Sequence, residues 1–104
     1  MKKWLLLILL QSPFTAYAYG VEVWATAYTP YENSNITATG EVPKEGIIAA
    51  DFLPLGTRVV IDDKEYIVGD RMGGGYTDRI DIFMDSYERA IEYGRRKVMM
   101  EVLE

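Results

Sequence analysis

Residues 21–28 alternate, with Val21, Val23, Ala25 and Ala27 on one side and Glu22, Trp24, Thr26 and Tyr28 on the other, the period of a half-buried strand. Residues 29–45 are rich in Pro, Asn, Thr, Gly and Glu and have no period, which predicts a long loop of the kind that often carries function. A short strand follows over 46–51 and ends in an acid, and Pro54-Leu55-Gly56 supplies the backbone angles of a tight turn. The β-branched runs 57–61 and 65–68, joined by Asp62-Asp63-Lys64, predict a hairpin in which the two acids serve the turn rather than any chemistry. Residues 69–78 form a glycine-rich loop, and 79–84 form another strand.

The spacing predicts one helix, over 85–93. Asp85 is placed to cap it with Glu88 completing a box-like pair, Tyr87, Ala90 and Ile91 share a face, and Gly94 ends it. Arg95 and Arg96 suit its negative C-terminal end. In residues 97–103, Val98, Met100 and Val102 alternate with Lys97, Met99, Glu101 and Leu103, a closing strand.

The first 18 residues stand apart. Lys2-Lys3 is followed by an apolar run from Trp4 to Leu10, and Ala16-Tyr17-Ala18 has the small-x-small form of a signal-peptidase site. We expect residues 1–18 to be a signal peptide cleaved after Ala18, residues 19–104 to be the functional domain, and the mature chain to be secreted, periplasmic or otherwise in the cell envelope. The apolar run is far shorter than the roughly 20 residues that span a bilayer, and no Cys follows it for lipid attachment. Asn35-Ile36-Thr37 matches the glycosylation acceptor pattern but is expected to stay unmodified beneath a leader of bacterial type.

Of 104 residues, 49% are apolar and 26% are charged with both signs present, a balance suited to a packed domain rather than a disordered tail. Taking away residues 1–18, with their two lysines and no acid, leaves 86 residues and moves the formal charge from −5 to −7. That sign repels nucleic acid and anionic lipid, so a neutral or zwitterionic polymer is the expected ligand. The chain has no His and no Cys. This excludes a Ser-His-Asp triad, a Cys nucleophile, a thiolate metal site and a disulfide, so no metal and no cofactor are expected. Six short strands and one helix must then close efficiently without disulfides, which favours a small barrel over an open sandwich.

The Gly73-Gly74-Gly75 run has no Gly-Lys-Ser/Thr and no helix after it, so it reads as a flexible turn and not as a phosphate cradle. Three acids at strand ends carry more information: Asp51 after Ile-Ile-Ala-Ala, Asp70 after Tyr-Ile-Val-Gly, and Asp81 within Arg79-Ile80-Asp81-Ile82-Phe83. A carboxylate inside a β-branched strand is disfavoured. Asp81 has a structural reading if alternation turns it to solvent or Arg79 neutralises it. If the acids converge, repulsion and burial raise one pKa and create a proton donor.

These residues carry a family resemblance. Ala25-Thr26-Ala27-Tyr28-Thr29-Pro30, Thr39-Gly40, Gly46-Ile47-Ile48-Ala49-Ala50-Asp51, Leu53-Pro54-Leu55-Gly56-Thr57, Val68-Gly69-Asp70-Arg71 and Arg79-Ile80-Asp81-Ile82-Phe83 together resemble the 3D domain, named for three aspartates. That family resembles the catalytic domain of membrane-bound lytic transglycosylase A. The resemblance implies a mainly β fold, a six-stranded double-psi β-barrel with one short helix, and a groove binding peptidoglycan glycan strands. It also implies Asp81 as the catalytic acid, Asp70 and Asp51 as supporting aspartates, and Thr26 and Tyr28 lining the groove, with the neighbouring Arg71 and Arg79 expected to contact substrate. The chain departs from many relatives in having Asp70-Arg71-Met72-Gly73 in place of Asp-Thr-Gly-Gly. The implied activity is lytic cleavage between N-acetylmuramic acid and N-acetylglucosamine by a monomer. A glycan-binding module without turnover and a hydrolytic glycosidase are the alternatives.

Overall fold

The computed structural model describes residues 18–30 and 37–103. The expected leader up to Tyr17, Tyr31 and the Asn35 of the acceptor pattern lie outside the described residues. Six strands and one helix follow in order: β1 Ala18–Tyr28, β2 Ile47–Ala50, β3 Arg58–Ile61, β4 Lys64–Asp70, β5 Arg79–Phe83, α1 Tyr87–Tyr93 and β6 Arg96–Leu103. The strands close into a barrel in the order β1-β5-β2-β4-β3-β6. Among the described residues the fold is thus mainly β, a closed six-stranded barrel with a single short helix. The β1–β5 and β2–β4 pairs are parallel, and the other four are antiparallel. Since a parallel pair cannot be made by a hairpin, each requires a connection that crosses the barrel.

Alternation sets the core as the sequence leads one to expect. Val23 and Ala25 of β1, Ile48 and Ala50 of β2, Val59 and Ile61 of β3, Val68 of β4, Ile80 and Ile82 of β5, and Val98, Met100 and Val102 of β6 form one buried cluster. Each fully buried Ile, Val or Met side chain contributes about 1.5–3 kcal/mol through apolar surface removed from water. Residues 18–20 extend β1 ahead of its apolar alternation. They are exposed, and their backbones pair with Leu103, Val102 and Glu101 of β6. The β3–β4 hairpin turns on Asp62 and Asp63, which both take positive φ, 51° and 65°. Asp tolerates that region better than most residues because its short polar side chain bonds locally.

One irregularity decides which way an acid faces. Val68 pairs with Ile48, yet the next pairing joins Ala49 to Asp70, so Gly69 is an extra residue in β4. With Val68 in the core, strict alternation would point Asp70 into the barrel as well. The bulge resets the period and delivers Asp70 to the outer face beside Ala49. A Cβ on Gly69 would stand 3.1 Å from the Ile47 side chain, so the crowded extra position suits glycine.

The helix differs from expectation at its start. Ser86, not Asp85, is the N-cap: its backbone is extended and its hydroxyl accepts the Arg89 N–H at 3.2 Å. Asp85 is held instead through its own N–H, which donates to Glu45 Oε2 at 2.7 Å. The same Glu45 carboxylate takes Arg89 at 3.0 Å, so one loop acid fixes the entry to α1. Of the expected shared face only Ala90 is buried. Tyr87 and Ile91 are 51% and 62% exposed, because a helix of seven residues resting on a closed barrel has room for little more than one small contact residue. At the other end Gly94 has φ 64° and its N–H donates to the Ala90 carbonyl. Arg96 closes the terminus by donating twice to the Tyr93 carbonyl, at 3.1 and 3.0 Å.

Candidate active site

The outer face of the barrel carries a row of four residues across four adjacent strands. Thr26 of β1 is the register partner of Asp81 in β5, Asp81 of Ala49 in β2, and Ala49 of Asp70 in β4. Two strand spacings separate the aspartate backbones, about 10 Å. Between them stands only the methyl group of Ala49, so the small residue leaves a depression flanked by two carboxylates. Tyr28, Phe83 and Ala49 make an apolar floor joined by Met72. The Tyr28 and Phe83 rings meet edge to face, 5.4 Å apart at 74°. The depression measures about 250 Å³ and is lined by Tyr28, Ala49, Asp70, Arg71, Met72, Tyr76 and Asp81. Three others are larger, about 410 Å³ around Tyr19, Leu53 and Arg58, about 550 Å³ over residues 85–88 and about 270 Å³ around Met84, Glu92 and Tyr93. None gathers acids from separate strands, so size does not mark the chemistry here.

Asp81 Oδ1 accepts a hydrogen bond from the Thr26 hydroxyl at 2.9 Å. The same hydroxyl lies 3.4 Å from the Ile80 carbonyl oxygen. A hydroxyl has one proton and two lone pairs. Thr26 can therefore donate to an ionised Asp81, or accept from a protonated Asp81 while turning its own proton to Ile80. Both charge states of the acid find a partner in place.

Asp70 is held by three donors. Oδ1 accepts from the N–H of Ala38 at 2.9 Å and of Arg71 at 2.8 Å, and Oδ2 accepts from the Tyr28 hydroxyl at 3.3 Å. The Ala38 bond ties the long loop after β1 to the rim of the depression. Burial, the Asp70 charge and hydrogen bond, and then the Asp81 charge push the Tyr28 hydroxyl well above the usual phenol range. It therefore stays protonated, as a donor between two acids.

Asp51 has a part that the sequence reading missed. It does not line the depression. Its Oδ1 accepts the N–H groups of Met72 and Gly73 at 2.7 and 3.0 Å, and its Oδ2 those of Gly74 and Tyr76 at 3.0 and 3.1 Å. These bonds, the one from Gly73 foremost, overcome the opposing effect of burial and hold its carboxyl down at about 2. Asp51 is therefore a fixed anion that shapes the loop carrying Met72 and Tyr76. The glycine run is an anion cradle after all, with Gly73 and Gly75 at φ 90° and 70°. The anion it holds is the protein's own aspartate. Three glycines 22 to 24 residues after a strand-ending acid were the available signal.

Arg71 answers this bond in the reverse direction. Its Nη1 donates to the carbonyls of Ala50 and Leu53 at 2.7 and 2.6 Å. Residues 50–53 and 71–76 thus clasp each other twice, and Arg71 serves the wall of the depression more than an open charge awaiting substrate. Arg79 lies two residues before Asp81 on the same face, outside the depression, with its guanidinium 4.7 Å from the Tyr76 ring centre and 4.0 Å from Asp78. Among the described residues no group of three or more carboxylates is placed to hold a metal ion. The arrangement offers proton transfer at Asp81 and hydrogen bonding at Asp70 and Tyr28, beside an apolar floor. Comparison with protein-family models and with curated proteins finds no match for the chain.

Proposed function

We propose that this chain is a lytic transglycosylase of the 3D-domain type that cleaves peptidoglycan between N-acetylmuramic acid and N-acetylglucosamine. The observation that carries the reading is the row Thr26, Asp81, Ala49, Asp70, which sets two carboxylates on either side of a gap in one face of the barrel. The motif resemblance over β1, β2, β4 and β5 supplies the substrate. In this reading the mature chain is exported and works as a monomer in the cell envelope, with no cofactor.

The reaction needs one acid that can also act as a base. Protonated Asp81 donates to the glycosidic oxygen as the bond to the muramyl anomeric carbon breaks and positive charge develops on the sugar. The C6 hydroxyl of the same muramyl residue then attacks that carbon and gives its proton to the Asp81 carboxylate. The products are a free N-acetylglucosamine end and a 1,6-anhydro end, and Asp81 returns to its starting state. Thr26 serves both charge states by the hydroxyl turn described above. Asp70, held by Tyr28 and two N–H groups, stands across the gap from Asp81 as a hydrogen-bond acceptor for the sugar. Asp51 and Arg71 keep the Met72–Tyr76 wall in position.

Digestion of purified sacculi followed by mass spectrometry tests this. Anhydromuropeptides should appear with wild-type protein and be absent with Asp81→Asn. Products heavier by one water would replace the proposal with hydrolysis using Asp70 as base. Retention on sacculi without any product would replace it with a binding module.

A further inference from the structure

The same outer face carries a second feature two residues before the Asp81 row. Trp24 of β1 is the register partner of Lys97 in β6 on one side and of Arg79 in β5 on the other. The Lys97 ammonium lies 4.8 Å from the Trp24 ring centre and the Arg95 guanidinium 4.5 Å from it. Arg79 rests on Tyr76 in the same manner at 4.7 Å. Three exposed cations of an acidic chain therefore gather on one strip, each set against an aromatic ring.

Of the three, only Arg79 has an ion-pair partner among the described residues. Asp78 approaches Arg79 only to 4.0 Å and is itself two-thirds exposed. Glu22 lies two residues before Trp24 on the same face of β1. No ion pair among the described residues involves Arg95 or Lys97. Two like charges on one indole repel each other, and cation–π attraction at an exposed site offsets this only modestly. The strip is ordered in advance for an anion that would relieve the repulsion.

We propose that Arg95, Lys97 and Arg79 bind the carboxylates of the peptide stems on a peptidoglycan strand whose sugars lie along the Asp81 row. The assignment rests on the glycan-cleaving reading above and adds to it the part of the substrate that selects the site. Two residues along a strand amount to about 7 Å. That offset fits a group hanging from a muramyl residue through its lactyl ether, because the first free carboxylate belongs to the second residue of the stem and two residues of extended chain reach about 7 Å. Trp24 and Tyr76 act as supports that hold the cations, with their ring faces occupied by them.

The test uses the Asp81→Asn chain, so that binding is read without turnover, and adds Arg95→Gln with Lys97→Gln. Both chains are co-sedimented with sacculi free of teichoic acid, and with the same sacculi after carbodiimide and ammonia have converted the stem carboxylates to amides. The paired change should weaken binding to untreated sacculi about five-fold, the scale of two exposed charge pairs, and leave binding to the amidated sacculi unchanged. The difference should fade as salt screens the charges. Lys97→Arg with Arg95 intact should retain full binding, which separates a charge requirement from a folding defect. An equal loss on both materials would place the contact on the sugars, and no loss on either would remove the strip as a site; both overturn the proposal. Its failure is separable from that of the cleavage reading. Wild-type protein that releases no product while carboxylate-dependent binding persists sinks cleavage alone, and products accompanied by carboxylate-independent binding sink the strip alone.

Discussion

Asp51→Asn changes almost no volume and removes one of two acceptor oxygens. The division of labour in the carboxylate makes the change severe, because each oxygen takes two N–H groups. An amide keeps one pair and turns its own NH2 toward the other pair, donor against donor. The loop is near solvent, so the two displaced N–H groups regain water. The net cost is therefore about 0.5–1.5 kcal/mol for each lost bond, or roughly 1–3 kcal/mol for two. For a domain of this size each kcal/mol moves the melting midpoint by about 4–8 °C, a shift that circular dichroism resolves easily.

Acid titration gives an independent reading of the same contact. The folded-state pKa of Asp51 is depressed from 3.8 to about 2. Its contribution is thus fully present above the ordinary carboxylate range, and it is lost as the pH falls from near 4 through 2. Wild-type protein should lose stability in that window. Asp51→Asn, having no proton to gain there, should lose less over the same window while melting lower at pH 7. An Asn variant that melts with the wild type at pH 7 and follows it through acid would refute the assignment of Asp51 as the anchor of the 72–76 loop.

Two further substitutions probe neighbouring claims. Thr26→Val keeps the shape and removes the hydroxyl that serves both states of Asp81, so the rate on sacculi should fall about ten-fold or more, the scale of one charge-assisted hydrogen bond. The pH–rate profile should also move, an effect that a packing defect would not produce; an unchanged profile counts against the role given to Thr26. Ser86→Ala should cost about 1 kcal/mol through loss of the helix cap, whereas Asp85→Ala should leave thermal stability nearly unchanged. The opposite ranking in melting experiments would restore Asp85 as the cap.

Most strands were legible because they show one buried face, as β3 and β6 do, while β2 is buried on both. Val21 through Ala27 and Val98 through Val102 alternate without interruption, and closure followed from six such segments with no disulfide to assist them. The three acids were legible as strand-end residues in unfavourable company. Their partition into separate roles was not, since it depends on contacts distant in the chain. Asp51 is defined by N–H groups more than twenty residues away, and Arg71 by carbonyls 18 and 21 residues back. The helix cap was missed by one residue because Asp85 and Ser86 are both competent acceptors. Only Glu45, brought from the long loop, decides between them by taking the Asp85 N–H.

The extra residue at Gly69 has a genetic consequence. A three-base deletion that removes this one codon keeps the reading frame and every charged residue. It makes Val68 and Asp70 direct neighbours, whose side chains take opposite faces without any bulge, so Asp70 still points outward. A missense change at the same codon keeps the length but adds a side chain whose Cβ would stand 3.1 Å from Ile47. If β4 relieves that crowding by pairing regularly, Asp70 turns toward Ile48, Ile80 and Ile82, where an unpaired charge is costly. Losing the codon is therefore the milder lesion, and rewriting it the harsher one.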